Sequence, residues 1–147
     1  MKKVRILIQK LKKDVRVPGY MTEYASGMDL YAAVKKPVVV KPLERVLIPS
    51  GIVVEIPAGY EIQIRPRSGL AWKYGIGVLN SPGTIDSDYR GEVRVILINL
   101  SNTPFTITPG MRIAQMVLSR VEHGIIKVVK KLNPTKRGSR GFGHTGT

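Results

Sequence analysis

The sequence predicts an all-β protein, a sandwich, jelly roll or barrel of short strands, with one short helix and a flexible basic arm at the C-terminus. Three observations lead there. Short runs rich in Val, Ile and Leu recur between Gly, Pro, Ser and Asn punctuation. Many short strands at this spacing bury one face each and close on one another. The chain has 147 residues, which suits a single domain, and its 43% hydrophobic content can supply one core.

The elements follow in order. Val4–Leu11 reads as a first strand, and Val38–Val40, Val46–Ile48, Ile52–Ile56 and Tyr60–Arg65 come next, with breaks at Pro42, Pro49 and Pro57. Gly69–Tyr74 is the one helical stretch, with Ser68 available as its N-cap. Ile76–Leu79, Val93–Leu100, Phe105–Ile107, Arg112–Leu118 and Ile126–Val129 continue the strand series. These elements define a core domain over residues 1–129. Residues 130–147 are rich in Gly and cations and cannot form a core of their own, so they are expected to be a flexible arm.

Composition narrows the function classes. There are no cysteines, which excludes disulfides and thiolate metal sites. No run approaches the ~20 apolar residues that span a bilayer, and no signal peptide is evident, so a cytoplasmic protein without a membrane partner is expected. The 24 Lys+Arg against 10 Asp+Glu give a formal charge of +14. That field favours an anionic partner, such as a polyphosphate, and it equally suits a heat-adapted surface.

Three segments carry more chemistry than ordinary turns need. Arg65-Pro66-Arg67-Ser68-Gly69-Leu70-Ala71 sets cations, a hydroxyl and a glycine amide at a helix start, where unpaired N–H groups suit a phosphate; a capped turn with surface arginines fits it too. Gly83-Thr84-Ile85-Asp86-Ser87-Asp88-Tyr89-Arg90-Gly91-Glu92 gathers three carboxylates in a hairpin-like segment. Such groups orient water or hold a hard cation, or they bond their own backbone. The tail, Arg137 to Gly146, can wrap amides, hydroxyls and a guanidinium around phosphates while Phe142 stacks on a base. It lacks the GxxxxGK[ST] spacing, and no GxSxG or GxGxxG context appears elsewhere. Two histidines make a His-rich metal site unexpected.

These segments fall into a known set. In order, the chain carries Ala25-Ser26-Gly27-Met28-Asp29-Leu30-Tyr31-Ala32, then Arg67-Ser68-Gly69-Leu70-Ala71, then Asn80 with Gly83 to Gly91. Arg112-Ile113-Ala114-Gln115 follows, and Arg137-Gly138-Ser139 with Gly141-Phe142-Gly143-His144-Thr145-Gly146 closes the series. Five motifs in this order resemble the trimeric dUTPase family over nearly the whole chain.

The resemblance implies a jelly-roll-like β-barrel or sandwich and a homotrimer with shared active sites. It implies hydrolysis of dUTP to dUMP and pyrophosphate with Mg²⁺ carried by the triphosphate, which keeps uracil out of DNA and supplies dUMP for thymidylate. By the same likeness Asp86 activates the water, and Asp29 holds the Mg²⁺ hydration shell through water. Arg67, Ser68, Gly69 and Gln115 line the phosphates. Asn80, with Gly83 and Ile85, meets the uracil edge, and Tyr89 lies against the deoxyribose. Arg137, Ser139, Gly141, Phe142, Gly143, His144 and Thr145 form the closing arm. Two positions depart from the pattern: Arg140 stands where the arm often has glycine, and Arg65 adds a cation before the second motif.

Other classes are weaker. A dCTP deaminase, or a bifunctional deaminase–pyrophosphatase, shares the fold, and ammonia release from dCTP distinguishes it. A nucleic-acid-binding β protein would use the charge, but aromatic residues are only 6% and no strand-borne set offers stacking, so no specific nucleic acid is expected. An inactive structural trimer is disfavoured because every expected site residue is present.

Overall fold

The computed structural model describes residues 3–141. Among them the chain forms β1 (Leu7–Lys10), β2 (Gly19–Tyr20), β3 (Met28–Tyr31), β4 (Val38–Val40), β5 (Arg45–Pro49), β6 (Ile52–Glu55) and β7 (Tyr60–Arg65). The helix α1 (Ser68–Tyr74) follows, then β8 (Ile76–Val78), β9 (Gly83–Ile85), β10 (Arg94–Asn99), β11 (Phe105–Ile107) and β12 (Arg112–Arg120). The largest sheet has the order β2-β3-β12-β7-β9, a second has β5-β10-β8, and β1-β6 and β11-β4 form two smaller pairs. All of these pairings are antiparallel. The all-β expectation is met.

Alternation builds the core. Ile62 and Ile64 of β7 point inward while Gln63 and Arg65 point out, and Val95 and Leu97 of β10 are buried beside half-buried Ile96 and Ile98. Ile62, Ile64, Val95 and Leu97 join Leu30, Ile48, Ile52, Ile107 and Met116 in one hydrophobic cluster. Asn99 is buried at the end of β10, and both of its amide atoms are engaged. Its Nδ2 donates to the carbonyls of Val40 (2.9 Å) and Thr103 (2.8 Å), and its Oδ1 accepts from Ser101.

Several expectations change. The first strand is shorter than Val4–Leu11, because only four residues find partners on β6. Ser68 is the first residue of α1 and not its N-cap. Arg67 takes the cap position with extended backbone and makes no side-chain cap bond. The helix ends where Gly75 turns left-handed (φ 65°), a conformation that favours glycine. At Asn80 the chain crosses from one sheet to another, since β8 pairs with β10 while β9 pairs with β7.

Ile126–Val129 forms no strand. Beyond Arg120 the described chain has no regular structure, and Ile125, Ile126 and Val128 stand more than 90% exposed. An apolar run becomes a strand only where a neighbouring edge takes its N–H and C=O groups. Among the described residues no helix is long and apolar enough to cross a membrane.

Candidate active site

The first group of expected residues assembles around Asp29. Met28 and Leu30 of β3 face the core, so alternation turns Asp29 to the other face of the sheet. Its side chain is nevertheless only 2% exposed, because two arginines cover it. Arg67 Nε lies 3.2 Å from Oδ1, and Arg112 Nη1 lies 3.0 Å from Oδ2. A buried carboxylate is tolerated only when it is paired and hydrogen-bonded, and here both oxygens are.

Arg112 reaches Asp29 through a bulge. Arg112 pairs with Tyr31 and Ala114 with Leu30, so two residues of β12 oppose one of β3. A bulge bends its strand and re-aims a side chain. It also explains why Ile113 and Ala114, adjacent in sequence, are both buried. Past the bulge, Gln115 pairs with Asp29 on one side and with Arg65 on the other, which puts the three in one row across the sheet. Gln115 lies close over Gly27, where an added Cβ would come within 3.1 Å of its Cβ.

Ser68 and Gly69 open α1 beside Arg67, and both are exposed. Arg65 does not reach toward this group. Its Nε and Nη2 donate to Gln63 Oε1 at 3.0 and 2.6 Å, along its own strand.

The second group lines a cavity of about 610 Å³. Asn80, Gly83, Ile85, Asp86 and Tyr89 all face it, against an apolar floor that includes Ile64, Val78 and Val95. The Asp86 carbonyl accepts the Tyr89 N–H at 3.2 Å, closing the turn that brings carboxylate and ring into one space. Arg90 fastens this turn by donating Nη1 to the carbonyls of Ser87 (2.7 Å) and Tyr89 (3.0 Å). The Tyr89 hydroxyl donates to the Glu92 carbonyl at 3.2 Å.

Two carboxylates line the cavity, and they differ in their commitments. Glu92 accepts the Gly51 N–H through Oε1 and Arg94 Nε through Oε2, both at 2.9 Å. The Asp86 carboxylate takes part in no hydrogen bond or ion pair with the described residues, so it is the one free to accept a proton. Asp88 does not line the cavity.

Within one chain the two groups stay apart. Asp29, Arg67, Ser68, Gly69 and Gln115 do not line the cavity that holds Asp86 and Tyr89. Arg137, Ser139 and Gly141 lie on the segment after the last strand and do not line it either. There the chain turns on itself: Arg137 Nε donates to the Arg140 carbonyl at 2.8 Å, and the Arg140 guanidinium returns to the Arg137 and Lys136 carbonyls. Phe142, Gly143, His144 and Thr145 fall outside the described residues. Among the described residues no group of three or more His, Asp or Glu side chains gathers to hold a metal ion.

Arg112 opens the fourth motif, but the sequence assigned it no role; its partner Asp29 lies 83 residues away.

Comparison with known proteins is decisive for the family. The dUTPase family model matches residues 13–146. The deoxyuridine 5'-triphosphate nucleotidohydrolase of Fusobacterium nucleatum is 53% identical over 146 residues, 99% of each chain. Its counterpart from Caldanaerobacter subterraneus is 58% identical over 134 residues, covering 91% of this chain and 90% of that one. Among solved structures, a variant of the Staphylococcus bacteriophage 80alpha dUTPase with dUpNHpp superposes with a TM-score of 0.85 at 23% identity, over 97% of this chain and 99% of that one. A dUTPase variant from phage phi11 of S. aureus, described with a structural Mg(II) ion, gives 0.80 at 21% identity, over 88% of this chain and 99% of the phage chain. These likenesses at low identity establish a shared jelly-roll fold.

Proposed function

The chain belongs to the dUTPase family, and from that premise we propose that it hydrolyses dUTP to dUMP and pyrophosphate in the cytoplasm, at sites shared between subunits of a homotrimer. In the cell this would keep uracil out of DNA and supply dUMP for thymidylate. The observation that carries the proposal is the 610 Å³ cavity, where an uncommitted carboxylate, Asp86, shares one space with Asn80 and Tyr89. A general base, an amide for a base edge and a ring for a sugar are what a water-dependent attack on a selected nucleotide requires.

In this reading Asp86 takes a proton from a water molecule as its oxygen bonds to the α-phosphorus. The bond from the α-phosphorus to the bridging oxygen breaks, and pyrophosphate leaves. Asn80 meets the uracil edge together with backbone groups of Gly83 and Ile85, which leaves the amino group of cytosine badly paired. Tyr89 lies against the deoxyribose and excludes a 2′-hydroxyl by contact. Arg67, Ser68, Gly69 and Gln115 hold the phosphate chain. Arg67 suits this task because only its Nε is bonded to Asp29, so its two Nη groups keep their donors for a phosphate fork. Arg137, Ser139 and Gly141, with Phe142, Gly143, His144 and Thr145, close over the nucleotide as an arm spanning residues 130–147.

Asp29 fits Mg²⁺ only at second hand. Each carboxylate oxygen has two acceptor sites, and one on each is taken by an arginine, which leaves room for water from a hydrated ion. The two guanidinium groups oppose a bare dication, so the ion belongs here only with the negative charge of a triphosphate. When bound, it offsets charge on the phosphates during attack.

The separation of the two residue groups within one chain supports shared sites. So does the exposed apolar run at Ile125, Ile126, Val128 and Leu132, which suits a segment that crosses onto a neighbouring subunit. Pyrophosphate release from a panel of dUTP, dCTP, dTTP and UTP, with and without Mg²⁺, tests the activity. Turnover should be confined to dUTP, and ammonia release from dCTP would point instead to a deaminase. Subunit sharing is tested by refolding a chain truncated after Lys131 together with an Asp86→Asn chain. Each should be inactive alone, and mixed trimers should recover activity. Mixed trimers that release no pyrophosphate would rule out shared sites.

A further inference from the structure

Gly91 sits in the turn that carries Tyr89, and its backbone does not explain why it is glycine. The described glycines in the left-handed region are Gly51, Gly59, Gly75, Gly110 and Gly138, and Gly91 is not among them. Its φ therefore does not call for glycine. The constraint is one of space. A Cβ added to Gly91 would overlap Oη and Cζ of Tyr89 and lie 2.9 Å from Cε2. These three nearest atoms all belong to one phenol, whose hydroxyl end lies against the bare face of Gly91. The hydroxyl of that ring is fixed beyond Gly91 by its bond to the Glu92 carbonyl. Both residues line the same cavity.

We propose that Gly91 is a positioning residue for sugar selection: its missing side chain sets the plane in which the Tyr89 ring stands against the 2′ position. This rests on the assignment of Tyr89 to the deoxyribose. Because the three nearest atoms are side-chain atoms, the ring can yield by rotating about its side-chain torsions while the turn keeps its path. A methyl group at position 91 therefore moves the ring and leaves the fold in place. The functional motif thus contains two parts of one steric gate, the ring and the empty space that seats it.

The test compares Gly91→Ala, Tyr89→Ala and the double variant by kcat/KM for dUTP and UTP. Gly91→Ala should raise the UTP to dUTP efficiency ratio on the order of tenfold. Tyr89→Ala should raise it in the same direction, and adding Gly91→Ala to Tyr89→Ala should change it by less than about twofold, since the ring that transmits the effect is gone. Gly91→Ala with an unchanged ratio, beside a Tyr89→Ala ratio that rises, overturns the inference. So does an equal loss for both nucleotides, which would mean that the methyl merely obstructs the cavity. If Tyr89→Ala itself leaves the ratio alone, the sugar assignment fails and this inference goes with it. Should Gly91→Ala fold poorly, the double variant must regain the Tm of Tyr89→Ala; a double variant as unstable as Gly91→Ala alone refutes the ring contact.

Discussion

Asp29→Asn separates the charge of the buried carboxylate from its shape. The parent side chain is 2% exposed and accepts one charge-assisted bond on each oxygen, from Arg67 and from Arg112. The amide keeps one acceptor and turns an NH₂ donor toward the other guanidinium. Hydrogen bonds to charged groups contribute about 1.5–3 kcal/mol each, and a neutral acceptor keeps about half of that. One weakened bond and one lost bond would then cost roughly 2–4.5 kcal/mol. Relief comes from the arginines, which are 25% and 46% exposed and can swing toward water. A net loss of about 2–3 kcal/mol follows. For a chain of this size that lowers Tm by roughly 5–12 °C, measured at one protein concentration. The same variant should need more Mg²⁺ for half-maximal dUTP hydrolysis, since a neutral amide holds a hydrated cation less well. A variant that melts within about 1 °C of the parent, with an unchanged Mg²⁺ requirement, would refute both the ion-pair account and the proposed metal role.

Two other substitutions probe distinct parts of the molecule. Asp86→Asn should abolish pyrophosphate release while dUTP binding stays within about tenfold by calorimetry, because an amide cannot take a proton from water; near-normal turnover would exclude Asp86 as the base. Asn99→Ala removes four hydrogen bonds from a fully buried position and takes one donor from each of the Val40 and Thr103 carbonyls. It should cost about 3–5 kcal/mol, readable as a fall in Tm of roughly 7–20 °C, while the folded fraction keeps its nucleotide preference.

What was legible in the sequence follows from what each pattern encodes. Tyr60–Arg65 and Phe105–Ile107 were bounded as they fold, because alternation and flanking turn residues define them locally. β3 was not seen as a strand because its buried Asp29 breaks the apolar pattern, and that burial depends on Arg67 and Arg112, which lie 38 and 83 residues away. The bulge at Arg112 was equally hidden, since an extra residue in one strand shows only against its partner. Ile126–Val129 erred the other way: its apolar character was read correctly, but no edge within the described chain pairs with it. Motif spacing marked the candidate site residues by type. It did not reveal that they divide into two groups, because β3, β7 and β12 are brought together by sheet pairing and not by sequence proximity.

The charge of +14 has a similar history. As a total it suggests an anionic partner, yet the arginines nearest the motifs mostly serve the protein itself. Arg65 lies along its own strand on Gln63, Arg90 ties down the Asp86–Tyr89 turn, and Arg94 holds Glu92. Arg112 neutralises Asp29, and Arg140 satisfies the carbonyls of its own turn. Arg67 differs from these, with one nitrogen fixed on Asp29 and the rest of its fork unbonded among the described residues. Net charge raises the encounter rate of any anion with the surface. Selection of one nucleotide requires donors that are oriented before it arrives, and in this fold the buried carboxylate of Asp29 is what orients Arg67.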